Sequence, residues 1–428
     1  MRLAYLTGEY PRATDTFVQR EVARLRAMGL DVRTFAARRP AECETTGPEQ
    51  RAERDRTTYL LPPRPHDLLA AHLGLLLRHP RRYGRALRLA WRIRPPGLRD
   101  GLYQLFYFAE AGLLARRLRQ QRVDHLHNHF ANSSCTVAML AAELADRPFS
   151  FTLHGPAIFF EPRRWRIDEK IRRARFVACI SHFCRSQAMI FSPPETWSKL
   201  HIIHCGVDPA WFTPRHHTGP GQRLLFVGRL AAVKGLPVLF EAMRRVVREC
   251  PQAELALVGD GAERAMLERS VQAMGLAEHV QFVGYRSPDA VRDMLREADV
   301  FVLPSFAEGV PVVLMEAMAT GVPVVATRVA GVAELVDDGV TGCLVPPGHV
   351  DALAGRIIDL LHDAGQRQRL GDAGRATVVR EFNLSQEVHR LHQLFTASPG
   401  VTMPTRPHAP SLSAPAIPEQ PQPLQPPV

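Results

Sequence analysis

Two carboxylates stand eight positions apart in Ser305-Phe306-Ala307-Glu308-Gly309-Val310-Pro311-Val312-Val313-Leu314-Met315-Glu316, across what reads as a strand-to-helix corner. The apolar run Val300-Phe301-Val302-Leu303 before them reads as a buried strand that Pro304 stops. Pro311 suits the first turn of a helix, where a missing N–H costs nothing. Glu308 is then a loop residue at the strand's carboxyl end, and Glu316 lies inside the helix. Helical side chains lean toward the N-terminus, so both acids face one mouth. The amides of Gly309, Val310 and Val312 lie between them, at the positive end of a helix dipole. A ligand with an anionic middle and hydroxyls at both ends suits such a site, and a nucleotide-sugar is one.

Cations for the anionic middle stand in Gly228-Arg229-Leu230-Ala231-Ala232-Val233-Lys234-Gly235, which follows a strand and opens a helix. Arg229 is a planar fork and Lys234 a point charge, both suited to phosphate oxygens. Alone, this stretch also reads as a solvated basic loop; beside two glutamates it reads as phosphate chemistry. Gly259-Asp260-Gly261 begins a dinucleotide fingerprint but lacks the third glycine, which makes an oxidoreductase a poor fit. A tight turn with its backbone near the nucleotide explains both glycines. Gly284-Tyr285-Arg286 either meets the base or is a turn. His154, before Gly155, ends another strand at the edge where open α/β sheets bind ligands. His125, His127 and His129 recur at period two and share one strand face. They invite a zinc reading, but the third lies near the strand's end and no carboxylate or cysteine at ligand spacing accompanies them.

The elements that position these groups alternate. Leu3–Leu6, Val32–Ala36, Val123–Leu126, Phe149–Leu153 and Phe176–Ile180 read as strands, with an amphipathic helix over Asp15–Met28 that Gly29 caps. A second series follows at Leu224–Val227, Leu255–Val258, Val280–Val283, Val300–Leu303 and Pro323–Ala326. Such alternation predicts parallel sheets with helices on both faces. The chain therefore divides into an acceptor-side domain over 1–210, a linker over 211–222 and a nucleotide-binding domain over 223–382. A helix over 383–397 is long enough to pack back across both domains. The Pro-rich tail 398–428 has too little apolar content for a core.

From Arg51 to Arg122 the rhythm breaks into an insertion of two or three helices, carrying 16 Arg, no Lys and 5 acidic residues. That local excess equals the formal charge of the whole chain, +11. Leu68, Leu69, Leu73, Leu76, Leu77, Tyr83, Leu87 and Trp91 stand among these arginines, as on helices lying on an anionic membrane. A solvated face over ordinary core leucines reads equally well. No nucleic-acid motif accompanies the charge. No apolar run reaches 18 residues, the start is too short for a signal peptide, and seven scattered cysteines fit a reduced cytosol.

The second half resembles family 4 of the retaining glycosyltransferases. The resemblance rests on Gly228-Arg229…Lys234-Gly235, Gly259-Asp260-Gly261, Pro304-Ser305…Glu308-Gly309…Glu316-Ala317-Met318-Ala319, Gly321-Val322-Pro323 and Gly331…Glu334-Leu335-Val336. Glu9-Tyr10-Pro11-Arg12…Asp15-Thr16-Phe17-Val18…Glu21 and His127-Asn128-His129-Phe130 resemble a narrower group, the colanic-acid- and amylovoran-type exopolysaccharide glycosyltransferases. The resemblance implies the α/β GT-B fold, two doubly wound, Rossmann-like parallel-sheet domains facing a cleft. It also implies a donor diphosphate on Arg229 and Lys234, ribose on Glu316, sugar hydroxyls on Glu308, and His154 beside the transferred sugar. Gly228, Gly259, Gly261, Arg286, Gly309, Val310 and Val312 complete the donor side.

Gly8, Arg12, Thr16, His127 and His129 stand for the acceptor side. Here Thr7-Gly8-Glu9-Tyr10-Pro11 replaces the Gly-Gly loop of many members. The expected activity is transfer of a hexose, with retention and without metal or other cofactor, from a nucleoside-diphosphate sugar to a lipid-linked glycan. Its expected place is the cytoplasm or the inner face of the cytoplasmic membrane. The alternative is a two-domain sugar-nucleotide epimerase or binding protein that transfers nothing.

Overall fold

The computed structural model describes residues 1–12, 15–44, 47–216 and 218–397. The Pro-rich segment from 398 onward, with the tail reading made above, lies outside them.

In the first domain β1 (Arg2–Glu9), α1 (Thr16–Ala27), β2 (Asp31–Arg38), α2 (Pro48–Arg56) and β3 (Thr58–Tyr59) come first. Three helices follow, α3 (Pro65–Arg78), α4 (Pro80–Arg92) and α5 (Leu98–Gln120). Then come β4 (His125–His129), α6 (Ser133–Ala145), β5 (Phe149–Leu153), α7 (Ile167–Arg173), β6 (Val177–Cys179), α8 (His182–Ile190) and β7 (Leu200–Ile202). The second domain opens with β8 (Arg223–Val227), α9 (Leu236–Glu249), β9 (Glu254–Val258), α10 (Arg264–Ala273) and β10 (Val280–Gly284). It continues through α11 (Pro288–Glu297), β11 (Val300–Leu303), α12 (Val312–Ala319), β12 (Val324–Thr327), α13 (Val332–Leu335) and β13 (Cys343–Val345). Helices α14 (Val350–His362), α15 (Ala364–Glu381) and α16 (Leu384–Thr396) close the chain.

The strand orders are β3-β2-β1-β4-β5-β6-β7 and β10-β9-β8-β11-β12-β13. Each sheet reverses its winding once, between β1 and β4 and between β8 and β11. Crevices for ligands open at such reversals, outside the strands' carboxyl ends. Each sheet has its own apolar core, and β5, β11 and β12 are buried along their whole length.

Five details depart from the sequence reading, the first being β7 (Leu200–Ile202), a short strand that extends the first sheet beyond β6. β13 is a sixth strand of the second sheet, too short at three residues to register as a pattern. β4 begins at His125 and runs on through His129, with hydroxyls of β5 engaging His125 and His127, and Glu21 and His154 engaging His129. The insertion adds β3 to the sheet edge. Pro311 stands just before α12, in extended backbone, rather than inside its first turn.

The chain passes between the domains twice, side by side. The Val207 amide donates to Phe382 O at 3.0 Å, and the Leu384 amide to Val207 O at 2.9 Å. A Cβ on Gly206 would stand 2.7 Å from Leu384 Cα, so only glycine admits this crossing. Helix α16 then returns to the first domain, its Phe395 ring packed on Tyr5, His125, His127 and Phe176.

In the insertion, Ala71, Leu75, Ala86, Leu89 and Phe108 are among the buried residues. Leu69 (69 % exposed), Leu77 (72 %), Trp91 (63 %), Leu98 (93 %) and Phe106 (61 %) face outward, with Leu73, Leu76, Leu87, Leu102 and Leu105 also exposed. The reading of these leucines as ordinary core is thereby corrected. Stripes at three- and four-residue spacing run along α3 and α5, and a monomeric soluble surface rarely shows so much apolar area.

Candidate active site

The two reversals face each other across a cleft of about 410 Å³, lined by both domains. Its second-domain wall is built from strand-end turns. After β8, the Gly228 amide bonds Val258 O at 2.9 Å and the chain passes Arg229 into a short turn over Ala232–Lys234. Gly235 ends that turn at φ +67°, where a Cβ would lie 2.2 Å from Pro304 O. Glycine thus lets the β8 turn press on the end of β11, and the Phe306 amide bonds Val233 O at 2.8 Å.

That contact brings Lys234 Nζ to 2.5 Å from Glu308 Oε1. The Ser305 hydroxyl donates to the same carboxylate oxygen at 2.6 Å. The Thr327 hydroxyl in turn holds Ser305 O. Glu308 is therefore fixed by a cation and a hydroxyl in a nearly buried position, beside the N-terminal end of α12. Gly309, Val310 and Val312 line the cleft next to it, and Gly228, Gly259, Tyr285 and Arg286 line it from β8, β9 and β10. Arg229 lies on the same wall, exposed, and has no ion pair among the described residues.

The first domain supplies Arg12, Asp15, Thr16, Phe17, Arg20, Phe130, His154 and Cys205. Arg20 Nη1 of α1 lies 2.7 Å from Glu316 Oε1 of α12, an ion pair that spans the cleft. The Arg20 guanidinium also lies 5.2 Å above the Trp211 ring. His154 sits between the rings of Phe17 and Phe130, 4.9 and 4.7 Å away. Burial, with the neighbouring His129, holds the His154 imidazole well below the usual histidine range, so it is neutral.

The domains also touch beyond the ligand space. The Glu334 carboxylate accepts from the amides of His182 and Phe183, both at 2.7 Å, at the start of α8. A Cβ on Gly309 would lie 2.8 Å from Ile180 Cδ1 and 3.3 Å from Gly155 O. A charged helix cap and a glycine contact thus hold the halves close.

Most residues singled out from sequence meet in this cleft: Arg229, Lys234, Glu308, Glu316, Gly228, Gly259, Arg286, Gly309, Val310, Val312, His154, Arg12 and Thr16. Four do not. Gly261 faces the backbone, and a Cβ there would lie 2.1 Å from Leu230 O, so it serves the packing of two turns. Gly8 is still inside β1, with open space where a Cβ would go. His127 is fully buried, its nitrogens engaged by Ser150 Oγ at 2.7 Å and Thr152 Oγ1 at 2.9 Å. His129 is also fully buried and reaches the cleft only through His154.

The sequence reading saw no carboxylate near these histidines, yet α1 brings one. Glu21, His127 and His129 place side-chain ligand atoms within 4.8 Å of one another. Their polar atoms are already matched, since Tyr5 donates to Glu21 and Ser150 and Thr152 engage His127. The cluster belongs to the hydrogen-bond network behind His154. Ser305, Phe17 and Glu21 stand inside the motifs quoted above but were assigned no role there, and Arg20 lay outside them, on the same amphipathic helix as Phe17 and Glu21.

Comparison with known proteins follows the same division. Residues 14–211 match the family described as Glycosyltransferase Family 4, and residues 211–377 match Glycosyl transferases group 1. The amylovoran biosynthesis glycosyltransferase AmsK of Erwinia amylovora is 27% identical over 409 residues, covering 90% of this chain and 96% of its own. The putative colanic acid biosynthesis glycosyltransferase WcaL of Escherichia coli K12 is 28% identical over 411 residues, with the same coverage, 90% and 96%. Among solved structures, Anabaena Alr3699/HepE in complex with UDP and glucose superposes with a TM-score of 0.70 at 18% identity, covering 92% of this chain and 99% of that one.

Proposed function

The chain belongs to the family-4 glycosyltransferases of the GT-B fold, and we propose that it moves a hexose from a nucleoside-diphosphate sugar to a lipid-linked glycan in exopolysaccharide biosynthesis. One observation carries this reading: Lys234, Arg229 and the start of α12 surround a single cleft that also holds Glu308 and Glu316. Two cations and a helix N-terminus suit a diphosphate, and carboxylates on either side suit hydroxyls. HepE, of like fold, was crystallised with UDP and with UDP-glucose, and the names of AmsK and WcaL point to exopolysaccharide.

In this reading the C1–O bond to the β-phosphate breaks as the acceptor oxygen bonds to C1. The acceptor's proton passes to the leaving phosphate oxygen on the same face, so configuration is retained. Negative charge grows on the departing diphosphate, and Lys234, Arg229 and the α12 amides offset it without a metal. Glu308, pinned by Lys234 and Ser305, orients sugar hydroxyls. Glu316 takes the ribose, exchanging its bond to Arg20 for the nucleotide.

The exposed apolar stripes of α3 and α5, set among arginines, support a peripheral seat on the inner face of the cytoplasmic membrane, where such an acceptor resides. No helix among the described residues is long and apolar enough to cross one. Flotation with liposomes containing anionic lipid, and its loss on neutral ones, is the expected result; failure to float with anionic liposomes would remove the membrane seat.

The transfer itself is tested with labelled UDP-, GDP- and ADP-sugars chosen by ligand-induced thermal shift, then incubated with a bacterial membrane fraction. Label in lipid-linked glycan, unchanged by EDTA, is expected. A free epimerised sugar nucleotide with no labelled lipid would replace transfer by epimerisation.

A further inference from the structure

Behind His154 the first domain holds a line of polar groups that no diphosphate contact uses. Tyr5 OH donates to Glu21 Oε1 at 2.8 Å. The same oxygen lies 3.2 Å from His129 Nε2, and His129 Nδ1 lies 3.0 Å from His154 Nε2. His154 Nδ1 stands 3.9 Å from Cys205 Sγ, and both residues line the cleft. Five separate places in the chain supply the members: β1, α1, the end of β4, the residue after β5 and the segment after β7. His129 is fully buried, and the side chain of Glu21 is 15% exposed. Such a set is built by the fold, not by a local motif.

We propose that Glu21 and His129 are positioning residues that fix His154 in the tautomer presenting a bare Nδ1 to the cleft, as an acceptor for a hydroxyl of the transferred sugar or of the incoming glycan. The proposal rests on the transfer reading for its substrate, though the proton arrangement stands without it.

Hydrogen-bond direction places each proton along the line. A carboxylate only accepts, so the proton between Glu21 and His129 belongs to His129 Nε2. With that proton placed, the His129 Nδ1 lone pair accepts, and the proton between the two rings belongs to His154 Nε2. Neutral His154 has one proton, so its Nδ1 carries a lone pair. That nitrogen faces Cys205, whose thiol is a weak donor and yields readily to a hydroxyl. A carboxylate behind an imidazole is a recurrent way to fix ring orientation and tautomer, and here two rings extend its reach. The tilted packing of His154 against Phe17 and Phe130 restrains the ring but leaves the tautomer open, and the line from Glu21 settles it.

Two variants separate this role from packing. In His129→Asn the amide oxygen takes the place of Nδ1 and still accepts from His154. In His129→Leu the volume is kept and the acceptor is gone. Turnover is expected to fall about thirtyfold or more in His129→Leu, with donor KM nearly unchanged, and to recover about tenfold in His129→Asn. Equal losses in the two variants, tracking their melting temperatures, would reduce the line to packing and overturn the proposal. An independent readout uses ¹⁵N-histidine-labelled protein, with His154 assigned through His154→Asn. A protonated Nε2 and bare Nδ1 are expected in wild type and in His129→Asn, and mixed tautomers in His129→Leu. A proton on Nδ1 in the wild type, as an imidazolium at His129 would impose, also overturns it. If no donor supports transfer, the turnover arm is silent for every variant while the nitrogen shifts still decide.

Discussion

Replacing Lys234 by alanine is expected to lower turnover about a hundredfold to a thousandfold while the protein still folds. The ammonium stands 2.5 Å from Glu308 in a wall residue only 18% exposed, so solvent screens it weakly. In the proposed reaction it is the point charge nearest the place where the diphosphate leaves. Removing one such preorganised group costs about 3–4 kcal/mol of transition-state stabilisation. The turn that carries it does not depend on its side chain. The Lys234 amide bonds Ala231 O at 2.8 Å and Gly235 provides the left-handed residue, so Lys234→Ala keeps its backbone. Glu308 loses one partner and keeps Ser305, a stability cost of about 1–3 kcal/mol. Lys234→Arg keeps the charge but brings a planar fork, and restores only part of the rate. Steady-state kinetics at saturating donor, with melting curves alongside, check this. Unchanged turnover would move the charge-balancing role to Arg229.

What could be read in advance follows from how each element earns its burial. Val300–Leu303 is a strand from end to end in the structure, because a parallel strand covered on both faces is apolar along its length, and Phe149–Leu153 shows its strand by the alternate apolar residues Phe149, Phe151 and Leu153. β4 hides from the same rule. It is written His-Leu-His-Asn-His, and it is buried with Ser150 and Thr152 of the next strand meeting His125 and His127, and Glu21 and His154 meeting His129. Polar residues in a core become legible once their partners are known, and those partners lie more than twenty residues away. For the same reason His127 reads as a cleft residue in sequence and proves to be core. Lys234 and Glu308 could be anticipated because each sits on a turn with its own glycine and proline punctuation. Arg20 could not, since its partner Glu316 is 296 residues distant and neither neighbourhood names the other. The outward leucines of α3 and α5 show the converse limit, since an amphipathic period gives a face but not what covers it.

Gly259→Ala should be among the most damaging single-methyl changes in the second domain, lowering its stability by about 4 kcal/mol and weakening donor binding with it. The residue stands at φ +129°, outside the range an L side chain adopts, and a Cβ would lie 2.0 Å from Gly228 O. That neighbour is backbone, so no rotamer change relieves the contact. Either the β9 turn moves or the β8 turn does, and the β8 turn carries Arg229 and Lys234. Gly-Asp-Gly is therefore less a cradle for the nucleotide than the packing surface on which the cationic turn rests. Gly275 provides the comparison, because it too has positive φ (+71°) but nothing within 4 Å of a Cβ. Gly275→Ala should cost about 1 kcal/mol and leave donor affinity alone. Denaturant unfolding and donor titration of both variants decide the matter. Should Gly259→Ala behave like Gly275→Ala, the two turns would not be coupled and the cations would owe their place to some other contact. If stability falls but donor affinity holds, the glycines support the fold without aiming Arg229 and Lys234.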